Sequence, residues 1–131
     1  MIRQKVKTSS REELLDITGL VKESLSSCGM KQGACIVYVP HTTAGVTINE
    51  NADPDVSRDI IMALGKLIPN NMGFYHAEGN SDAHTKATIT GSSVTIPVED
   101  GKLVLGTWQG IYFCEFDGPR NRNVYFQFIP S

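Results

Sequence analysis

The chain has little with which to cross a membrane, build a disulfide scaffold or grip a polyanion. No window of its 131 residues is an apolar run of 18, and the opening Met1-Ile2-Arg3-Gln4-Lys5 mixes charge with apolar residues instead of leading into a signal segment. Membrane-spanning and secreted readings are therefore set aside, and a cytoplasmic protein is expected. Cysteine is scarce: Cys28, Cys35 and Cys114 are odd in number, lie in apolar surroundings and lack CxxC spacing, so each is expected to be a buried reduced thiol. Excess positive charge is missing too. Twelve Lys and Arg against fourteen Asp and Glu leave a net charge of −2 with the cations scattered, which argues against a nucleic-acid partner. Walker, GxGxxG and GxSxG signatures are absent, as are repeats, linkers and low-complexity segments.

What is present is an ordinary globular composition, 40% apolar with 12 glycines, over one domain's length, so residues 1–131 are read as a single domain. Period-two alternation predicts a strand over residues 2–8. Ser10-Arg11-Glu12-Glu13 imitates a helix capping box, yet the alternation of residues 12–17 favours a second strand after a turn at Ser9-Ser10. Thr18 is expected to cap a helix that presents Leu20, Val21, Leu25 and Cys28 and stops at Gly29. The β-branched run 34–39 reads as a central strand buried on both faces, ended by Pro40.

Residues 46–49 form the next predicted strand. Asp53-Pro54 supplies an N-cap and N1 proline for a helix carrying Val56, Ile60, Leu64 and Leu67. After a polar loop through residues 72–80, Asp82 is expected to cap a short helix over 83–90, closed by Gly91. Alternation at Val94, Ile96 and Val98, a turn at 99–102, a return over 103–105, and runs at 111–116 and 124–129 complete a pattern close to ββ-α-ββ-α-α-βββ. Hairpin-linked strands with helices inserted in groups indicate an α+β domain with a mainly antiparallel sheet.

Chemistry-bearing residues concentrate in the loops. His41, His76 and His84 all lie in polar segments, and a divalent ion such as Zn²⁺ accepts three imidazoles at about 2.0–2.1 Å while keeping a fourth position open for water or substrate. His76 and His84 are eight apart, which is not the i, i+4 pair of a helical zinc motif, so unconnected surface histidines remain the competing reading. Glu50, Glu78 and Asp82 lie near the histidines in sequence, where a carboxylate can orient an imidazole or move a proton. Asp82 also suits a cap, and Glu50 a solvated position. Trp108, flanked by Gly106, Thr107, Gln109 and Gly110, suits either ligand stacking or packing under another chain. Arg120 and Arg122 offer planar forks for phosphate or carboxylate.

These segments taken in order resemble one family. His41-Thr42-Thr43-Ala44-Gly45, Asn49-Glu50-Asn51-Ala52-Asp53-Pro54, the block from His76 through Glu78-Gly79-Asn80, Asp82-Ala83-His84 and Lys86-Ala87, the stretch from Pro97 to Gly106-Thr107-Trp108-Gln109, and Asp117-Gly118-Pro119-Arg120 with Arg122 are similar to the YjbQ family, also called secondary thiamine-phosphate synthases. The resemblance implies a small α+β subunit in a homotrimer, a polar cleft holding the histidine motifs, and a side activity that makes thiamine phosphate. It strengthens the expectation of a divalent metal, zinc or, for activity, magnesium, on His41, His76 and His84. Joining a pyrimidine diphosphate to a thiazole phosphate needs a divalent ion or cations to stabilise the departing pyrophosphate. Arg120, Arg122 and Lys86 are the cations available, with Asn80, Thr42, Thr43, Trp108 and Gln109 as further substrate contacts and Glu78 or Glu50 as the proton-transfer group. The expected function is thus a metal-dependent enzyme acting on a small phosphorylated molecule. The alternative is a trimeric protein that binds a metal ion or phosphorylated ligand without turnover.

Overall fold

The computed structural model describes residues 1–131. Eight strands and three helices follow in the order β1 (Ile2–Lys7), β2 (Glu13–Asp16), α1 (Thr18–Cys28), β3 (Gly33–Tyr38), β4 (Ala44–Glu50), α2 (Pro54–Leu67), α3 (Ser81–Thr90), β5 (Ser93–Glu99), β6 (Lys102–Leu103), β7 (Gln109–Glu115) and β8 (Asn121–Pro130). Every strand pairing is antiparallel. The strands make two sheets, one of order β1-β8-β3-β5-β6 and one of order β2-β7-β4. The α+β architecture expected from the sequence is present, and the four C-terminal segments read there, at 94–98, 103–105, 111–116 and 124–129, correspond to β5, the short β6, β7 and β8. Asp100 and Gly101, both at positive φ, turn the chain between β5 and the two-residue β6, where Glu99 pairs with Lys102, and Leu105 lies beyond that strand.

The two sheets face each other across the main core. Val6, Cys35, Val37, Ile96, Val98, Val124 and Phe126 come from the larger sheet, Val46, Ile111 and Phe113 from the smaller, and Val21 and Leu25 of α1 join them. The opposite face of the smaller sheet is covered by helices: Tyr112, Cys114 and Phe116 pack with Ala83 and Ala87 of α3, and Ile61 and Leu64 of α2 lean on that cluster. The strand buried on both faces is therefore β7, buried from Gly110 through Glu115. β3 buries Cys35 and Val37 but leaves Tyr38 exposed, because no helix lies on the outer face of the five-stranded sheet.

Local details depart from expectation where side chains find better partners. Thr18 is the first residue of α1 and not its cap: Asp16 Oδ1 accepts both the Thr18 N–H at 2.9 Å and its hydroxyl at 2.6 Å. Asp53 caps α2 as expected, accepting the Asp55 N–H at 2.9 Å, but Leu67 stands 70% exposed. Asp82 lies inside α3, which begins at Ser81, and its carboxylate turns inward to cations. Cys35 and Cys114 are buried thiols, their ionisation pushed up to about 12 by burial, whereas Cys28 is exposed. No helix is long and apolar enough to cross a membrane.

Candidate functional site

β4 separates the expected site residues into two groups. His41, Thr42 and Thr43 precede its first residue, Ala44, while Glu50 ends it and pairs with Gln109 of β7. Six residue steps at about 3.3 Å each place the ends about 20 Å apart. At the far end, Trp108 is 63% exposed and its carbonyl accepts the Asn51 N–H at 3.0 Å, while Gln109 Oε1 accepts the Gly106 N–H at 2.8 Å. Within one chain, Glu50, Trp108 and Gln109 are not at the histidine end.

The histidine end is a groove of about 370 Å³ between the approach to β4 and helix α3, lined by His41, Thr42, His84, Thr88 and Ser92 among others. α3 places His84 on this side. The loop before α3 brings His76 against it, with ring centroids 5.4 Å apart and planes 80° to one another. Glu78 Oε1 lies 4.0 Å from His76 Nε2. The three histidines thus share one neighbourhood, with His84 central. No set of three or more His, Cys, Asp or Glu side chains converges to hold a metal ion. The three-imidazole centre is therefore not assembled, and His76 and His84 are the two histidines whose rings are in contact.

His41 is the member that stands apart. The Asn123 main-chain N–H donates to its Nε2 at 2.9 Å. Burial, and then the charge of Arg122, hold its pKa below the usual histidine value.

The expected cations are largely committed to internal carboxylates. Lys86 faces away from the groove; it is 2% exposed, paired with Glu12 and, at 3.3 Å, with Asp82. Arg11 joins this cluster through a fork on Asp82 at 3.1 and 3.2 Å, and Asn70 adds a further bond at 2.9 Å. Burial alone would raise the Asp82 pKa, but these donors outweigh it and hold the carboxyl at about 2. Arg122 is ion-paired with Glu115, and its Nη2 donates to Thr43 Oγ1 at 2.9 Å, which fixes the buried Thr43 side chain. Arg120 is 53% exposed and bonds to the carbonyl and carboxylate of Asp117 at 2.7 and 3.1 Å. Asn80 Nδ2 donates to the same Asp117 carboxylate at 2.9 Å, tying the Arg120 turn to the start of α3, one helical turn from His84. Asn80 Oδ1 is buried without a hydrogen-bond partner.

Sequence reasoning passed over Glu115, Asn123, Thr8 and Arg11. Glu115 had a signal: a single carboxylate ending the apolar run Ile111-Tyr112-Phe113-Cys114 calls for a buried partner. Asn123 acts through its main chain, which no side-chain motif displays.

The comparisons agree with this architecture over nearly the whole chain. The family described as UPF0047 protein YjbQ-like matches residues 3–131. A UPF0047 protein of Methanocaldococcus jannaschii is 55% identical over 98% of this chain and 94% of its own length, and YugU of Bacillus subtilis is 50% identical over 95% of each. A crystal structure of a YjbQ/UPF0047 family protein from Clostridium acetobutylicum superposes with a TM-score of 0.97 at 54% identity, covering 98% of this chain and all of that one. A YbjQ-like protein of Sulfolobus solfataricus superposes at 0.95 with 33% identity, over 99% of this chain and 96% of that one. With identity of this degree along motifs and fold alike, the chain belongs to the YjbQ/UPF0047 family.

Proposed function

We propose that the histidine groove is the active site of a cytoplasmic, homotrimeric enzyme acting on a small phosphorylated molecule, with thiamine-phosphate formation as one of its activities. The observation that carries this reading is the edge-on contact of His76 with His84 at 5.4 Å, with His84 and His41 together lining a polar groove. His76 and His84 would hold a divalent ion such as zinc, which would neutralise a departing pyrophosphate. Glu78, beside His76, orients that imidazole or moves a proton. Arg120, half-exposed on a turn tied to α3 through Asn80, is the cation best placed to meet a phosphate. Thr42, exposed at the groove, adds a hydroxyl.

The test is His76→Ala and His84→Ala in protein shown by sedimentation to keep the mass of the parent. Zn²⁺ binding, read by calorimetry, and thiamine-phosphate formation should both disappear. Unchanged turnover in either variant overturns the reading.

One observation favours the alternative of a trimeric binding protein without turnover. Lys86 and Arg122 are neutralised by Asp82, Glu12 and Glu115, which leaves less free positive charge to stabilise a transition state. Tight phosphate and metal binding with no product formed would select that reading.

A further inference from the structure

His41 has two ring nitrogens, and the fold has already assigned one. The Asn123 N–H points at Nε2 from 2.9 Å, so Nε2 must offer its lone pair. Turning the ring over would set a C–H against that N–H, which leaves the observed orientation as the one with an acceptor in place. A neutral imidazole with Nε2 accepting carries its proton on Nδ1. Protonating Nε2 as well would oppose two N–H groups beside the Arg122 guanidinium, and burial and that charge both disfavour the cation. Nδ1 makes no hydrogen bond within the chain, and the one buried side-chain nitrogen or oxygen without a partner is Asn80 Oδ1, so Nδ1 of the half-buried His41 is not fully buried. The residue that carries it lines the groove with Thr42, His84 and Thr88.

We propose that His41 is a hydrogen-bond donor to an anionic ligand and not a metal ligand: with Nε2 fixed by the Asn123 amide, it presents Nδ1–H to a phosphate oxygen of the molecule bound in the groove. The two histidines that line the groove then divide the work, with His84, backed by His76, on the metal side and His41 on the anion side. This inference rests on the groove taking a phosphorylated ligand and is independent of whether a metal binds there.

The test is ¹⁵N-histidine NMR of the intact protein, titrated separately with Zn²⁺ and with inorganic phosphate. His41 should show the Nδ1–H tautomer at neutral pH, its Nδ1–H resonance should move with phosphate, and its nitrogens should stay in place with Zn²⁺ while those of His76 and His84 move. His41→Asn places an amide N–H where Nδ1–H stood and should keep phosphate affinity within about threefold. His41→Gln extends its amide to the Nε2 position and should weaken it tenfold or more, the scale of one hydrogen bond to a charged group. An Nε2–H tautomer, a Zn²⁺ shift at His41, a phosphate-silent His41, or equal losses in the two variants would overturn the assignment. Zn²⁺ silence at all three histidines with the phosphate response intact supports it and removes the metal from the proposed function.

Discussion

Arg122 and Glu115 face each other from adjacent layers, Glu115 with 0% and Arg122 with 6% of the side chain exposed, and the same guanidinium holds Thr43 two residues from His41. The parity of β7 explains the position: Ile111, Phe113 and Glu115 all point between the sheets, so the carboxylate ends a row of core side chains. Thr8 donates to Glu115 at 2.7 Å and the Asp117 N–H does so at 3.0 Å, which completes its coordination. Arg122→Met leaves that carboxylate buried without its cation and should cost about 3–5 kcal/mol in urea unfolding. Adding Glu115→Leu should recover most of the loss, because an apolar pair of similar volume replaces a buried ion pair at little cost. A single variant as stable as the parent would show that Glu115 reaches water.

The turn after Glu115 is held by a missing side chain. A Cβ at Gly118 would lie 2.3 Å from the Ser10 carbonyl oxygen, 2.8 Å from Glu115 Cγ and 2.9 Å from Thr8 Oγ1, with the Gly118 N–H itself bonded to the Arg11 carbonyl at 2.9 Å. One obstacle is backbone and the other two belong to hydrogen-bonded side chains, so all three give way poorly. Gly118→Ala should lower stability by about 1–3 kcal/mol, measured as a shift of the urea midpoint at unchanged slope.

Acid should unfold the protein partly through Asp82. Its carboxyl is held at about 2 against an ordinary 3.8, so folding favours the ionised form. A group depressed in this way contributes its stability fully above the unfolded value and loses it as pH falls toward the folded one. The contribution should be about 2 kcal/mol, present at pH 6 and fading between about pH 4 and pH 2. Asp82→Asn should be less stable than the parent at pH 6 and converge with it near pH 2, read as melting temperature across that range.

The element order was legible because hydrophobic period and turn chemistry are local properties. Asp53-Pro54 and the Asp100-Gly101 turn each state a backbone geometry in two residues. Which strand is covered twice was not legible, since 34–39 and 111–116 are both continuous apolar runs and only tertiary packing puts the helices on β7. The histidines were found by type, yet their roles depend on long-range partners. Asn123 is 82 residues from His41, and Arg11 is 71 from Asp82. The same distance hid the fate of Lys86 and Arg122, whose positive charge looked available in sequence and is paired in space.

Glu78 and Glu50, equivalent candidates in the sequence, occupy different places in the fold, and that difference makes a sharp prediction. Glu78 Oε1 is 4.0 Å from His76 Nε2 on an exposed loop, whereas Glu50 sits at the far end of β4, its carbonyl accepting the Tyr112 hydroxyl at 3.1 Å. If the proton-transfer group acts within one chain, Glu78→Gln should lower turnover by about 10²–10⁴-fold, the usual contribution of a positioned acid or base, and Glu50→Gln should leave it within about threefold. Both variants should sediment at three times the 14.3 kDa chain mass, as the proposed trimer requires. A large loss in Glu50→Gln with the trimer intact would mean that a neighbouring copy brings the end of its β4, with Trp108 and Gln109, to the histidine groove, and that the catalytic unit is the assembly instead of the single chain.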